Sequence, residues 1–321
     1  MLTDLPEAGL WEYRSSAPEP PDFDEFWEGT LEDARQHPVS ARLEPVQTGL
    51  TTLEHFDLTF AGFNGEDVRG WLVRPAGVKG PLPTVVQYVG YGGGRGTALE
   101  NLLWASAGFA HLVMDNRGAA SSHRPGVTPD PHGSGPSYPG FMTRGIASPR
   151  DHYFRRLFTD AVRAVDAAAE LPMVDPDRIG VVGGSQGGAL ALAASVLNPR
   201  VRAVACFVPF LSDIRRATLI TDEHPYREIS AFLETHRNDV EATFRTLSYF
   251  DGVHLARRAS CPTLFSVALL DTTCPPSTVY AAYAEWSGVK DMVVYDYNNH
   301  EGGGAYQQAR QLAWVAERLA R

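Results

Sequence analysis

Lysine and cysteine are scarce in this chain. Only Lys79 and Lys290 are lysines, and the remaining basic residues are arginines scattered along 321 positions without a basic block. The 28 basic residues stand against 38 acidic ones, for a net charge of -10. That balance argues against a phosphate-backbone partner, so no nucleic acid is expected. The three cysteines, Cys206, Cys261 and Cys274, are odd in number and show no C-x-x-C spacing. A disulfide framework or a thiolate zinc site is therefore not expected, no cofactor or metal is implied, and a reducing compartment is the default. Long apolar runs are also missing. The windows Ile179 to Leu197 and Val201 to Leu211 are broken by glycine or too short to span a bilayer, which leaves no membrane segment to expect. The N-terminus, Met1-Leu-Thr-Asp-Leu-Pro6, lacks a basic region followed by an apolar one, so no signal peptide is expected. There are no internal repeats and no low-complexity tract.

What remains is an ordinary globular composition, 44% hydrophobic and 21% charged, enough to bury a full core. One stretch organises it. Ile179 to Val182 reads as a buried strand, and about Gln186 to Leu197 as a small-residue helix. Between them lies Gly183-Gly-Ser-Gln-Gly187. A serine with glycines two before and two after, on a strand-to-helix turn, is the pattern of a nucleophile elbow. The turn pushes the hydroxyl above the sheet, and the flanking residues must be tiny because strand and helix nearly touch. The N–H of Gln186 opens the helix and can face a developing oxyanion.

The rest of the chain is consistent with that centre. Residues 1–40 are rich in proline, acid and aromatics, and Phe23, Phe26, Trp27 and Leu31 fall at helical spacing to about Arg35. This extension is predicted to strap onto the domain surface. Residues 51–74 alternate on either side of the Phe63-Asn-Gly-Glu66 turn signal, which predicts an antiparallel hairpin. Buried strands then alternate with helices. Strands are predicted at Thr84 to Val89, His111 to Asp115, Val201 to Phe207, Pro262 to Leu270 and Met292 to Tyr297. Helices are predicted at Leu99 to Ala107, Tyr153 to Leu171, Ser277 to Trp286 and Tyr306 to Leu319. The fold class is α/β: a mostly parallel central sheet with helices on both faces, in one domain over 1–321. Two stretches interrupt the alternation. Residues 118–150 are rich in Gly, Pro, Ser and His and too long for a plain connection. Residues 211–260 are expected to hold two or three polar helices before the late strands, as a lid over the site.

A serine hydroxyl needs an adjacent base, itself oriented by an acid, and on this fold the chain order is serine, acid, histidine. Four histidines follow Ser185: His224, His236 and His254 in the insertion, and His300 after the last strand. His300 alone also follows Asp271, which closes the apolar strand Pro262 to Leu270. Ser185, Asp271 and His300 are therefore the candidate catalytic residues. Asp296 competes as the acid but stands too close before His300, and Glu301 is given a structural role. The second oxyanion donor is expected from the loop after the first buried strand, Tyr88-Val-Gly-Tyr-Gly-Gly-Gly-Arg95. The Tyr91 N–H is chosen, paired with that of Gln186. The same loop lacks the Gly-Lys-Ser/Thr ending of a phosphate cradle. Tyr91 and Cys274 are also expected at the rim of the substrate pocket, Cys274 with the alternative of a small buried hydrophobe.

With these residues placed, the chain resembles carbohydrate esterase family 7, the acetyl xylan esterases and cephalosporin C deacetylases. The likeness rests on Asp22-Phe-Asp-Glu-Phe-Trp27, Gly90-Tyr-Gly-Gly-Gly-Arg-Gly96, Tyr138-Pro-Gly-Phe-Met-Thr-Arg-Gly145, Gly183-Gly-Ser-Gln-Gly-Gly188, Asp271 with Thr273-Cys-Pro-Pro-Ser277, and Asn299-His-Glu-Gly302. It implies an α/β-hydrolase fold and the same triad and oxyanion donors. It also implies a cytoplasmic homo-oligomer, a hexamer, acting on small acetylated molecules such as acetylated xylo-oligosaccharides and cephalosporin C. The other reading kept open is a different serine acyl hydrolase, a general carboxylesterase or peptidase. One position departs: the family's Arg-Gly-Gln is Arg117-Gly118-Ala119 here, which puts a local hydrogen bond of that loop in doubt.

Overall fold

The computed structural model describes residues 4–119, 121, 124–133 and 135–320. Residues 1–3, part of the N-terminal stretch read above for a leader, lie outside them. Among the described residues the strands are β1 (Arg42–Val46), β2 (Leu53–Ala61), β3 (Asp67–Pro75), β4 (Leu82–Tyr88), β5 (Ala110–Met114), β6 (Val174–Gly184), β7 (Val201–Phe207), β8 (Thr263–Ala268) and β9 (Lys290–Tyr295). The helices are α1 (Glu7–Glu12), α2 (Phe23–Arg35), α3 (Leu103–Ser106), α4 (Tyr153–Glu170), α5 (Gln186–Leu197), α6 (Ile214–Ile220), α7 (Tyr226–Thr235), α8 (Val240–Ser248), α9 (Gly252–Ala256), α10 (Pro276–Glu285) and α11 (Gly304–Leu319).

The strands form one sheet in the order β1-β2-β3-β5-β4-β6-β7-β8-β9. The hairpin β2–β3 is antiparallel as expected, β1 joins its outer edge, and β3 runs antiparallel to β5. From β5 to β9 every neighbour is parallel. Side chains alternate across a strand, and the two faces separate accordingly. Val86, Leu112, Val181 and Val204 pack against α4 and α5, while Val85, Val182, Ala203 and Ala205 pack against Trp104, Phe109 and α11. A parallel sheet covered on both faces reads as continuous apolar runs, and β5 and β8 are buried at every position.

Several boundaries differ from expectation. The helix expected over Leu99 to Ala107 is one turn, Leu103–Ser106, because Asn101 sits at φ 57° and breaks helical geometry before it. The strand expected to run to Leu270 ends at Ala268. The N-terminal extension is more than a surface strap: Phe23, Phe26 and Trp27 of α2 belong to the main core, Leu31 is buried beside them, and Trp27 Nε1 donates to Tyr249 O at 3.0 Å. The 211–260 insertion holds four helices, α6 to α9, rather than two or three, and buries Tyr226, Ile229, Phe232, Leu247 and Phe250 in that same core.

The long 118–150 connection is held by buried charge. Asp115, fully buried, accepts from Arg95 N (2.8 Å), Val127 N (2.7 Å), Thr128 N (2.9 Å) and Thr128 Oγ1 (2.9 Å). Arg117 is paired with Asp160 at 2.6 Å and with Glu66 at 2.7 Å, and Arg156 holds Asp130 at 2.9 Å. Ala119, where the resemblance expects Gln, is buried and donates its own N–H to Asn116 O at 3.3 Å. Backbone bonds and the side chain of Asp115 therefore order this loop without a glutamine. No helix among the described residues is long and apolar enough to cross a membrane.

His152 caps α4. Its Nδ1 accepts from Phe154 N at 3.2 Å and its Nε2 donates to Met142 O at 3.0 Å, so the neutral ring is the form that fits. Burial pushes its pKa down to about 3, and burial pushes that of His111 down to about 4. The unfolded chain, with histidine pKa near 6.5, then binds protons the native state refuses. Stability from these residues is complete above about pH 6.5 and is lost as pH falls, by up to about 1.4 kcal/mol per unit for each. Denaturant midpoints between pH 7.5 and 5 should fall on this slope, and more shallowly in His152→Gln; equal slopes would contradict the account.

Candidate active site

The site begins at the junction of β6 and α5. Ser185 stands alone between them at φ 55°, ψ -124°, a backbone region that costs a residue with a side chain about 1–3 kcal/mol. The crossing is tight. A Cβ on Gly183 would lie 2.2 Å from Gly187 O, one on Gly187 would lie 2.3 Å from Tyr88 O, and one on Gly184 would lie 2.1 Å from the Phe207 ring. Glycine is required at 183 and 187 for backbone to meet backbone, and at 184 to leave room for the Phe207 ring. Ser185 N donates to Phe207 O at 3.1 Å, and Ser185 O accepts from Phe210 N at 3.0 Å. Both bonds tie the elbow to the β7 end of the sheet.

Asp271 lies in the turn after β8, completely buried. Leu269 N and Leu270 N donate to Tyr295 O and Asn298 O at 2.9 and 3.1 Å, which binds this turn to the one after β9. That second turn carries His300. Asp271 Oδ1 accepts from Thr273 N (2.8 Å) and Cys274 N (2.9 Å), leaving Oδ2 at 2.9 Å from His300 Nδ1. A carboxylate can only accept, so the imidazole proton sits on Nδ1 and Nε2 keeps its lone pair. Glu301 accepts from Asn298 Nδ2 and, at 3.0 Å, from Asn299 N, the structural role expected of it. Asp296 is exposed, and the insertion histidines lie elsewhere: His224 and His236 near the surface, His254 buried beside Glu19 at 3.5 Å.

Ser185 and His300 line one cleft of about 550 Å³, together with Gly90, Asn101, Trp104, Arg124 and Gln311. Gln186 is the first residue of α5, so its N–H is among the helix's unpaired donors. Tyr91 does not line this cleft, contrary to expectation, and Cys274 is not at its rim either but takes the buried alternative. Tyr91 turns its phenol toward the insertion, where Glu228 of α7 accepts its hydroxyl proton at 2.7 Å, and only its backbone stays with the loop beside Gly90. Cys274 is fully buried; burial and the Asp271 carboxylate push its pKa far up, so it remains a thiol. Among the described residues, Asp271, Cys274 and His300 are the one group of His, Cys, Asp or Glu close enough to share a metal ion, with ligand atoms within 4.8 Å of one another.

Two residues that position the site escaped the sequence reading. Asn116, fully buried at the end of β5, donates its Nδ2 to Val89 O (3.3 Å), Gly90 O (3.1 Å) and Gly93 O (2.9 Å). It shapes the loop that carries Tyr91, and its place just past a buried strand was the signal available. Glu228 ties Tyr91 to Met142 N at 3.0 Å, joining the glycine loop, the 138–145 segment and the insertion. Burial is the main force raising its pKa. No periodicity in a helix of the insertion singles it out.

The elbow strain has a measurable consequence. Ser185→Gly removes the Cβ from an unfavourable backbone region, while Ser185→Ala keeps it. The glycine variant should be the more stable of the two by about 1–3 kcal/mol in denaturant unfolding. Equal midpoints would mean that the turn is unstrained.

Comparison with known proteins places the chain in a family. A profile of the acetyl xylan esterase (AXE1) family matches residues 1–318. The acetyl xylan esterase of Paenibacillus sp. R4 superposes with a TM-score of 0.92 at 37% identity, covering 98% of this chain and 100% of that one. Acetyl xylan esterase 1 of Thermoanaerobacterium sp. JW/SL YS485 gives a TM-score of 0.88 at 33% identity over 97% and 99% of the two chains. The acetyl esterase Axe7A of Xylanibacter ruminicola is 30% identical over 292 residues, which are 88% of this chain and 63% of that protein. The chain therefore spans under two thirds of that curated relative. On the match along nearly its whole length, the chain has the α/β-hydrolase fold and belongs to the acetyl xylan esterase (AXE1) family.

Proposed function

We propose that this protein is a serine esterase that removes acetyl groups from small acetylated substrates, acetylated xylo-oligosaccharides first and cephalosporin C among other small acetyl esters. The observation that carries the reading is the 2.9 Å contact between Asp271 Oδ2 and His300 Nδ1, with His300 sharing a cleft with the strained Ser185. Ser185 Oγ attacks the acetyl carbonyl carbon while His300 Nε2 takes its proton. Asp271 holds the ring in that tautomer and stabilises the imidazolium. The N–H groups of Gln186 and Tyr91 hold the oxyanion. Collapse of the tetrahedral adduct expels the alcohol, which takes its proton from His300. Water, deprotonated by the same nitrogen, then releases acetate and restores Ser185. Assembly as a homo-oligomer, the hexamer implied by the resemblance, and a cytoplasmic location belong to the same reading.

Ser185→Ala should lower turnover of an aryl acetate by about 10⁴-fold or more while leaving the fold intact. Near-native turnover in this variant would sink the reading. A wild-type preference for long acyl esters or peptide anilides would move it to another serine acyl hydrolase. Asn116→Asp sets a carboxylate against three carbonyl oxygens and should displace the Tyr91 loop. Misplacement of about 1 Å costs about a hundredfold, so kcat should fall by that order with secondary structure unchanged by circular dichroism.

A further inference from the structure

The cleft shared by Ser185 and His300 has polar lining residues that the proposed chemistry does not use. They include Gln87, Asn101, Arg124, Gln308 and Gln311. The buried nitrogens Asn101 Nδ2, Arg124 Nε and Gln311 Nε2 have no hydrogen-bond partner. All three are donors, on three separate segments around one cleft. Buried donors without acceptors are costly, and here they surround the cleft that holds the candidate nucleophile.

Arg124 is the centre of this group. Its backbone is well fixed: its O accepts from Gly94 N at 3.0 Å, Gly96 N donates to the next carbonyl, Pro125 O, at 2.9 Å, and Val127 and Thr128 are held by Asp115. Its side chain crosses Gly93 of the loop that carries Tyr91, with Cδ 3.6 Å from where a Cβ on that glycine would stand. The four arginines buried among the described residues have carboxylates: Arg95 has Asp57 at 2.8 Å, Arg117 has Asp160 at 2.6 Å, Arg156 has Asp130 at 2.9 Å and Arg163 has Asp166 at 3.4 Å. Arg124 has a neutral partner, its Nη2 donating to Asn101 Oδ1 at 2.9 Å, and forms no ion pair among the described residues. Glu100 is the acid that acts on it from a distance, with its carboxylate accepting from Thr97 Oγ1 at 3.2 Å. Burial destabilises the Arg124 cation, with only the field of Glu100 to offset it. A half-buried guanidinium beside the reacting centre, in a chain of net charge -10, is matched by a carboxylate, which it binds in a forked geometry.

We propose that Arg124 is a specificity-determining residue that selects acetyl esters whose alcohol half carries a carboxylate, as in an acetylated oligosaccharide bearing an acidic sugar. This rests on the acetyl esterase reading above. The acetyl group is too small to bear the charge, so the carboxylate belongs to the alcohol. Asn101 and Gln311 supply further donors for the same group or for neighbouring sugar hydroxyls.

The test compares 3-acetoxybenzoate with its neutral amide, 3-acetoxybenzamide, in wild type, Arg124→Gln and Arg124→Lys. The wild-type ratio of kcat/KM for anionic over neutral ester should fall at least about tenfold in Arg124→Gln, since a charge-assisted hydrogen bond is lost. The loss should appear mainly in KM. Arg124→Lys should recover part of it, and added salt should shrink the wild-type ratio. Circular dichroism and a denaturant midpoint at wild-type values certify that Arg124→Gln is folded, and the anionic-to-neutral ratio reads the charge whatever the variant does to both esters. A ratio that is the same in wild type and Arg124→Gln overturns the assignment of Arg124. Failure of wild type to hydrolyse either ester overturns the esterase reading itself, and with it this inference.

Discussion

The contact between the end of β6 and the start of α5 governs this structure. Backbone meets backbone there, with no room for a Cβ at Gly183 or Gly187, and the Phe207 ring closes the space over Gly184. That approach forces Ser185 to φ 55° and lifts it out of the sheet. It also brings Tyr88 and the loop that follows β4 against the same helix, since Gly187 would clash with Tyr88 O. One steric constraint thus sets the position of the serine, the direction of the first N–H of α5, and the nearness of the loop carrying Tyr91.

Buried charge performs the complementary task of ordering what the sheet does not. The 118–150 connection has almost no regular structure, yet Asp115, Asp130 and Asp160 grip it through backbone amides and through Arg117 and Arg156. Pairs of this kind are weak net contributors to stability but costly to break, because the survivor is left unpaired in low dielectric. Within that arrangement, Arg124 stands out among the described residues for having a neutral partner where the buried arginines have an ion pair. Glu228 extends the same principle to the insertion, linking α7 to Tyr91 and to Met142.

Much of the framework was legible because its signals are local. The apolar runs of β4, β6, β7 and β8, the period of α4, and the turn in the β2–β3 hairpin came within a few residues of their observed bounds. What escaped lacks a local signal. β1, Arg42-Leu-Glu-Pro-Val46, is a largely exposed edge strand containing a proline, with neither alternation nor an apolar run. α3 is cut short by a single left-handed residue, Asn101, which periodicity does not register. The insertion looked polar in sequence, yet Tyr226, Ile229, Phe232, Leu247 and Phe250 are buried in the main core.

By itself the sequence singled out the candidate reacting groups of the proposed chemistry and their order. Ser185 on its glycine turn, Asp271 after an apolar strand and His300 in a polar loop follow from spacing and chain order, because the elbow and the strand ends are local features. Tertiary structure decided which side chains face the cleft. It turned the Tyr91 phenol to Glu228, buried Cys274, and set Asn116 under the glycine loop and Arg124 across it. These residues come from segments tens of positions apart. Their roles arise from the desolvation and hydrogen-bond demands of groups that meet only once the sheet has formed, and such demands leave no mark on any one stretch of chain.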